Sequence, residues 1–563
     1  MVFQKNLAPG AGALYRCVGW MLAGLSWCAS AQVPDLESVQ RANQRAIREA
    51  QDRPLPQADV FTSPSALPAD APPTPDEVQS APCLNVASIE LLGHLPALGS
   101  APVLPRTPLC LDTPGLNSLL GRLNAHYQAG GWITTRVYVD PVEHTPGLLR
   151  LRVLPGQIEQ IVLGGDPTDA RKNTAFPAHA DQLLNLRDLE QGLENINRVP
   201  SQEGKFNLRP GSRSGASSVQ VDLKESRRYR LTEMLDNSGT RAMGQWKSTT
   251  ELAIDNPTQH NDQLALGVIA NLDRGDLDAR FRGLTLNYFV PNGYHLFSLA
   301  GSAIRTSFTL PGINTSYPMD TRADKLGMGY EYLFSRDQNS KYSLTAGLDL
   351  TRQRTEIADI EVPSQERRLT VLNLGLKGKW FVGQQSHEWV LRAERGLKAL
   401  NAQTTILDGS DPQYHLLKLR LASLWPLPNN QGLFRTLFQA QAAPKNIPTL
   451  AQIYVGGRYD VRGYQQNSLY APSGAFVRTE YEAPAVSWAG ERWNFYVGMD
   501  AGRVQTLPNR PLSQQHLIGG ALGVRGEAGP WRLELARARA VSRPLQFANE
   551  ARDRWYAQIS LVY

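Results

Sequence analysis

Between Ile453 and Tyr464 the chain reads IYVGGRYDVRGY, which sets Arg458, Asp460 and Arg462 among glycines and aromatic residues. A planar guanidinium can hold a carboxylate through two parallel hydrogen bonds, so an arginine here suits the fixing of a loop in one orientation. Other chemistry finds no support. The nine histidines are scattered without a His-Glu-x-x-His pair, and no phosphate-binding G-x-x-x-x-G-K-[S/T] loop occurs. The glycines of GGRYDVRG have the wrong spacing for a dinucleotide turn. No cofactor, metal or enzymatic activity is therefore expected.

An arginine of this kind needs elements to carry it, and composition restricts them. A net charge of +6 over 563 residues is too small for a nucleic-acid binder with a basic stripe. Past the N-terminus no run of about 18 apolar residues could cross a membrane as a helix. At the N-terminus, Lys5 and Arg16 precede the apolar stretch from Val18 to Leu25, and Ala29-Ser30-Ala31 follows. This reads as a cleaved secretory signal over residues 1–31. The bulky Trp27 before Cys28 argues against a lipid anchor there. Cys17 and Cys28 leave with the signal, and the remaining Cys83 and Cys110 read as one disulfide in an oxidising compartment. In the chain-entropy model that loop closure contributes about 3 to 4 kcal/mol; the alternative is two buried free thiols.

Residues 32–53 carry Leu36, Val39, Ile47 and Ala50 at loosely helical spacing, and 54–82 is a proline-rich linker. Two similar units follow, over 83–155 and 156–227. Each reads strand, helix, strand, strand: VASIELLG, a helix around Leu116 to Tyr127, ITTRVYVD and GLLRLRVLPG in the first. The second runs IEQIVLGG, LRDLEQGLENINRVP, KFNLRPG and SSVQVDLKE.

From residue 228 to 563 helical periodicity stops. In LGMGYEYLF, Leu326, Met328, Tyr330, Tyr332 and Phe334 share one face, and Gly327, Gly329 and Glu331 the other. YSLTAGLDL, LKLRLASLW and WRLEL repeat the pattern, which is that of a transmembrane β-barrel. Short breaks such as Pro291–Gly293 and PNNQG alternate with long polar stretches such as Gln353 to Arg368, as turns on one side and loops on the other. The last strand ends on Tyr563, an expected C-terminal barrel signal, and must pair with the first because lipid tolerates no open edge. Length alone allows about 14 to 18 strands.

CLNVASIELLGH, CLDTPGLNSLLGRLNAHYQAGGWITTRVYVDP, GLLRLRVLPGQIEQI and VRGY together resemble the transporters of two-partner secretion, the group containing FhaC, ShlB and CdiB, within the BamA-type superfamily. The resemblance implies a sixteen-stranded outer-membrane barrel, two periplasmic POTRA domains and an N-terminal helix that plugs the pore. It implies that Val461, Arg462, Gly463 and Tyr464 lie at the tip of an external loop folded back into the barrel, with Arg462 paired to Asp500 in the Gly498, Asp500, Gly502 strand motif. The alternation agrees: Phe495, Val497, Met499 and Ala501 form a lipid-facing set that turns Asp500 into the lumen. Without the resemblance, Arg462 and Asp500 would be two solvated lumen charges.

The implied partners are a large secreted exoprotein with an N-terminal secretion domain, outer-membrane lipid and the barrel-assembly machinery, for a chain acting as a monomer without nucleic acid. The POTRA domains would capture the exoprotein and the barrel would release it outside. A BamA-type assembly factor is the alternative; a solute porin would not need the two small domains.

Overall fold

Strands that alternate apolar and polar residues can bury every backbone group in lipid only by closing on themselves. In the computed structural model of the chain, which describes residues 83–141, 145–312, 314–488, 490–505, 515–542, 544–548 and 550–563, they do so as a sixteen-stranded antiparallel barrel. The expected signal, plug helix and linker lie outside the described residues. The first strand, Tyr229–Asp236, pairs with the last, Asp553–Val562, from Asp236 opposite Gln558 to Thr232 opposite Val562. Leu284, Phe297, Met328, Leu344, Leu374 and Phe495 face outward and are exposed, as a lipid-solvated surface requires.

Several strands outrun the bilayer. Ser316–Arg336 has 21 residues and Ser340–Ile357 has 18. The polar stretch Gln353 to Arg368, read above as an external loop, is for the most part ladder: Gln353 pairs with Arg367, and Glu356 with Glu361. Beyond the lipid both faces are polar or covered, so hydrophobic alternation fades while hydrogen bonding continues. On the inner side of this extension Phe308 and Met319 pack on Ala242, Met243 and Leu277 from the neighbouring loops.

In the first small domain the sheet runs Ser88–Leu92, Leu148–Leu154, Arg136–Val139, with the first pair parallel. Helix α1, Thr113–Ala129, is capped by Asp112, whose side chain accepts from Gly115 N at 2.8 Å. It buries Leu119, Leu123 and Tyr127, one every four residues, against Leu149, Leu151 and Val153. Cys83 and Cys110 are joined, with Cα atoms 5.6 Å apart, beside a two-stranded ribbon of Leu84–Val86 and Leu109–Leu111 that the alternation had not revealed.

The second domain orders its strands Gln157–Leu163, Ala216–Glu225, Gln202–Pro210. It adds a short helix α2, Arg171–Ala175, before helix α3, Leu186–Asn197. Leu189, Leu193 and Ile196 of α3 pack on Ile158, Val219 and Val221. Its opposite, polar face is buried as well, against the barrel. Asn195 Nδ2 donates to Gly293 O at 2.8 Å, Arg336 Nη1 to Glu194 at 2.8 Å, and Lys341 Nζ to Glu194 at 2.9 Å. Arg336 also reaches Glu190 at 3.4 Å, and Tyr294 donates its hydroxyl to Asp188. Gly293 and Tyr294 form the turn between two barrel strands, and residues 337–339 form the next, so this end of the barrel faces the small domains.

Candidate functional site

The loop between strands Leu433–Ala442 and Gly474–Glu482 enters the barrel. It carries a short ribbon, Ile453–Val455 paired with Leu469–Ala471. Ile453, Val455, Val461, Tyr464 and Leu469 form an apolar core with Phe476, Val504, Leu517 and Ala540, residues of the barrel's inner wall. Burial of this kind gives the loop a fixed seat, and the polar tip then sets its orientation.

Arg462 is 1% exposed, and all three guanidinium nitrogens have partners. Nε donates to Asp500 Oδ2 at 2.6 Å and Nη2 to Asp500 Oδ1 at 2.7 Å, the two-pronged geometry a lysine could not make. Nη1 donates to Glu480 Oε2 at 2.9 Å, and Nη2 also meets Thr479 O at 3.1 Å. The backbone N–H of Arg462 donates to Asp500 Oδ2 at 3.1 Å.

The motif glycines make this approach sterically possible. Gly498 stands opposite Glu480 in the ladder, and a Cβ on it would lie 2.0 Å from Arg462 Nη2. A Cβ on Gly502 would lie 2.4 Å from Val455 Cγ1. Gly463 has φ +99°, where a side chain is strained, and a Cβ there would meet Ala540 N at 2.5 Å. Tyr464 is buried, with its hydroxyl donating to Ile518 O at 2.9 Å, and Val461 is fully buried in the loop core. Tyr563 extends the seam between the last and first strands, its N–H donating to Leu231 O at 2.9 Å.

Sequence reasoning paired Arg462 with Asp500 alone and missed the rest of the charge set. Glu480 also accepts from Arg525 and, at 3.3 Å, from Arg478. Arg525 reaches Glu482 at 3.1 Å and Glu534 at 3.2 Å, and lies 4.0 Å above the Tyr496 ring. Arg458 donates to Glu534 at 2.9 Å and to Ala557 O at 3.2 Å. With Arg435, 3.3 Å from Glu482, five arginines thus meet four carboxylates, and the loop reaches the last strand through Arg458 and the end of the first through Gln465 Nε2, which donates to Asn237 O at 2.6 Å. A faint signal existed: Arg478, Glu480 and Glu482 recur every second residue, which is one face of a strand.

In the second small domain, strand Gln202–Pro210 lies at a sheet edge. Gly204 turns its backbone outward, where Asn197 donates to its oxygen at 3.3 Å and accepts from its N–H at 2.6 Å. By the alternation of an antiparallel ladder, Phe206 and Leu208 turn the same way along this edge.

Residues 215–526 match the family described as haemolysin secretion/activation protein ShlB/FhaC/HecB. Residues 101–156 match the ShlB-type POTRA domain and 157–210 a POTRA domain. Outer membrane transporter CdiB-2 of Burkholderia pseudomallei is 28% identical over 88% of this chain and 88% of its own. Hemolysin transporter protein HpmB of Proteus mirabilis is 26% identical over 78% of this chain and 79% of its own. The solved structure of CdiB from Escherichia coli shares the fold with a TM-score of 0.82 at 21% identity, over 95% of this chain and 100% of that one.

Proposed function

This chain belongs to the haemolysin secretion/activation family ShlB/FhaC/HecB and is an outer-membrane transporter of the two-partner secretion type, with its POTRA domains in the periplasm; from that premise we propose how its parts divide the work. The POTRA domains bind an unfolded exoprotein through its N-terminal secretion domain. Strand addition at the Gln202–Pro210 edge supplies backbone hydrogen bonds, and the side chains around it supply selectivity. The exoprotein then threads the barrel lumen, and its folding outside draws the chain through.

Val461, Arg462, Gly463 and Tyr464, seated against Gly498, Asp500 and Gly502, anchor the loop that occupies the lumen. The two-pronged contact of Arg462 with Asp500, completed by Glu480, is the observation that carries this reading. A set of paired charges binds the loop firmly in one position, yet every pair can exchange its partner for water when the loop leaves. The chain works as a monomer in outer-membrane lipid after insertion by the barrel-assembly machinery.

The test is co-expression with the large exported protein encoded beside this chain. Cargo should reach the medium with the wild type and fail to do so after deletion of residues 156–227 or with Arg462→Ala, while both variants still insert. Cargo export that persists without the second POTRA domain would overturn the account. Loss of many other outer-membrane proteins on depletion would instead indicate an assembly factor.

A further inference from the structure

Above its apolar band the barrel carries a row of arginines on the outside. In the strand register Arg282 stands directly opposite Arg305, Arg305 opposite Arg322, and Arg322 opposite Arg354. The four belong to four consecutive strands, Arg280–Asn292, His295–Pro311, Ser316–Arg336 and Ser340–Ile357. With strands about 4.8 Å apart, their heads share a stripe roughly 14 Å wide. All four are exposed. They share the parity of the lipid-facing Leu284, Leu326 and Met328, while Phe281, Ile304 and Ala323 beside them point into a buried inner core.

Their height is set by the chain. Leu284 lies two residues below Arg282 on its strand, and Leu326 four below Arg322. Arg322 stands ten residues from Tyr332 on the same strand, a span that matches the roughly 9 to 11 residues needed to cross the hydrocarbon. Arg280, Arg352 and Arg368 are exposed on the same face around the row. The small domains dock at the other end, so this row lies at the outer leaflet's polar boundary.

Like charges directly opposite one another destabilise a sheet. The acids that share this face do not remove the problem. Asp320 accepts from Ser307, and Glu361 lies 3.9 Å from Arg354 with both half exposed. Asp324 stands opposite Arg352, and Glu356 opposite Asp320. For Arg282, Arg305 and Arg322 no ion pair is found among the described residues. We infer that this row binds the phosphate groups of the phosphorylated glycolipid of the outer leaflet, lipopolysaccharide, whose headgroups lie at this height. The chemistry is that of guanidinium donating paired hydrogen bonds to phosphate oxygens. The site fixes the barrel's rotation and depth in the leaflet on the side of these strands.

The test uses the full chain in detergent and purified lipopolysaccharide, both intact and after enzymatic removal of the lipid A phosphates. Binding is read by native mass spectrometry across a salt series, for the wild type and for a variant carrying Arg282→Gln, Arg305→Gln, Arg322→Gln and Arg354→Gln. Retained heat-modifiable mobility on a gel reports that the variant barrel is folded. Intact lipid should bind the wild type at least about tenfold more tightly than dephosphorylated lipid, the loss of one charge-assisted hydrogen bond at the low end, and the preference should vanish in the variant. Equal binding of the two lipids by the wild type overturns the inference even if the variant does not fold. Unchanged phosphate preference in a folded variant overturns it as well, by moving the site elsewhere.

Discussion

Gly498 faces Glu480 across two paired strands, and the side chain it lacks leaves the slot into which Arg462 Nη2 reaches. Asp500, two residues on, is opposite Gly519 on the next strand, where a Cβ would stand 1.8 Å from Arg462 O. The arginine is held between two carboxylates by a wall with two missing side chains.

Gly498→Ala should therefore evict the guanidinium without opening the barrel. A methyl 2.0 Å from Nη2 cannot be accommodated while Nε and Nη2 keep both oxygens of Asp500. The variant barrel should keep its heat-modifiable mobility. A protease site engineered into the loop near Tyr459, which is already exposed, should become cleavable from outside, and cargo export should fall. An unchanged cleavage pattern would mean the slot is not needed.

Arg462→Ala leaves Asp500 and Glu480 buried with one cation fewer, at a cost of about 3 to 5 kcal/mol. Removing charge from both sides should cost less, because no buried carboxylate is then left over. Arg462→Met combined with Asp500→Asn should unfold at higher urea than Arg462→Met alone, followed by the gel mobility of the folded barrel. Strict additivity of the two changes would show that the residues do not act as a pair.

Much of this was legible beforehand. The parity of Phe495, Val497 and Met499 turns Asp500 inward, and the resemblance supplied its partner. Glu480, Arg525, Glu534 and Arg458 were not, because their meeting depends on strand register and on where one loop folds back, and neither leaves a local mark. The polar face of α3 shows the same limit. Glu190, Gln191 and Glu194 read only as part of a helix, since a sequence does not tell water from the charged rim of a neighbouring domain. The long strands were missed for a third reason, that alternation marks lipid contact and not hydrogen bonding.

At the joint between α3 and the barrel, two acids respond to pH in opposite senses. Burial acts to raise the Glu194 carboxyl, but Lys341, Arg336 and Arg198 together hold it below the usual glutamate range. Its stabilising contribution is present above the unfolded value of about 4.3 and is lost as pH falls through the lower folded value. Asp188 is raised by burial, which the hydrogen bond from Tyr294 only partly offsets. Its ionised form costs stability as pH rises from about 3.9 through the raised folded value. Asp188→Asn, which keeps an acceptor for Tyr294, should strengthen the joint at neutral pH. Glu194→Gln should weaken it at neutral pH and flatten the acid response. Hydrogen exchange of α3 amides in the full chain between pH 4 and 7 reads both, and equal protection in the two variants would rule out the opposed roles.

The disulfide should matter to one domain only. Cys83 precedes the strand Leu84–Val86, and Cys110 lies within its partner Leu109–Leu111, three residues ahead of the first residue of α1. The cross-link therefore fixes the entry to the helix whose Leu119, Leu123 and Tyr127 build the first core. Replacing both cysteines by serine frees a loop worth about 3 to 4 kcal/mol in the chain-entropy model, a large part of what a domain of this size can hold in reserve. In the full chain, α1 amides should exchange faster by a corresponding factor, while α3 and the barrel strands keep their protection. Gly130 O and Gly131 O, just past α1, accept from Asn185 and Leu186 at the start of α3, but the second domain has its own core of Ile158, Leu189 and Val219 and is tied to the barrel through Arg336 and Glu194, so the larger part of the loss should stay in the first domain. Faster exchange confined to α1, absent from the oxidised wild type and reproduced by reductant on the wild type, is the expected pattern; an equal rise in α3 exchange would show that the two POTRA domains unfold as one.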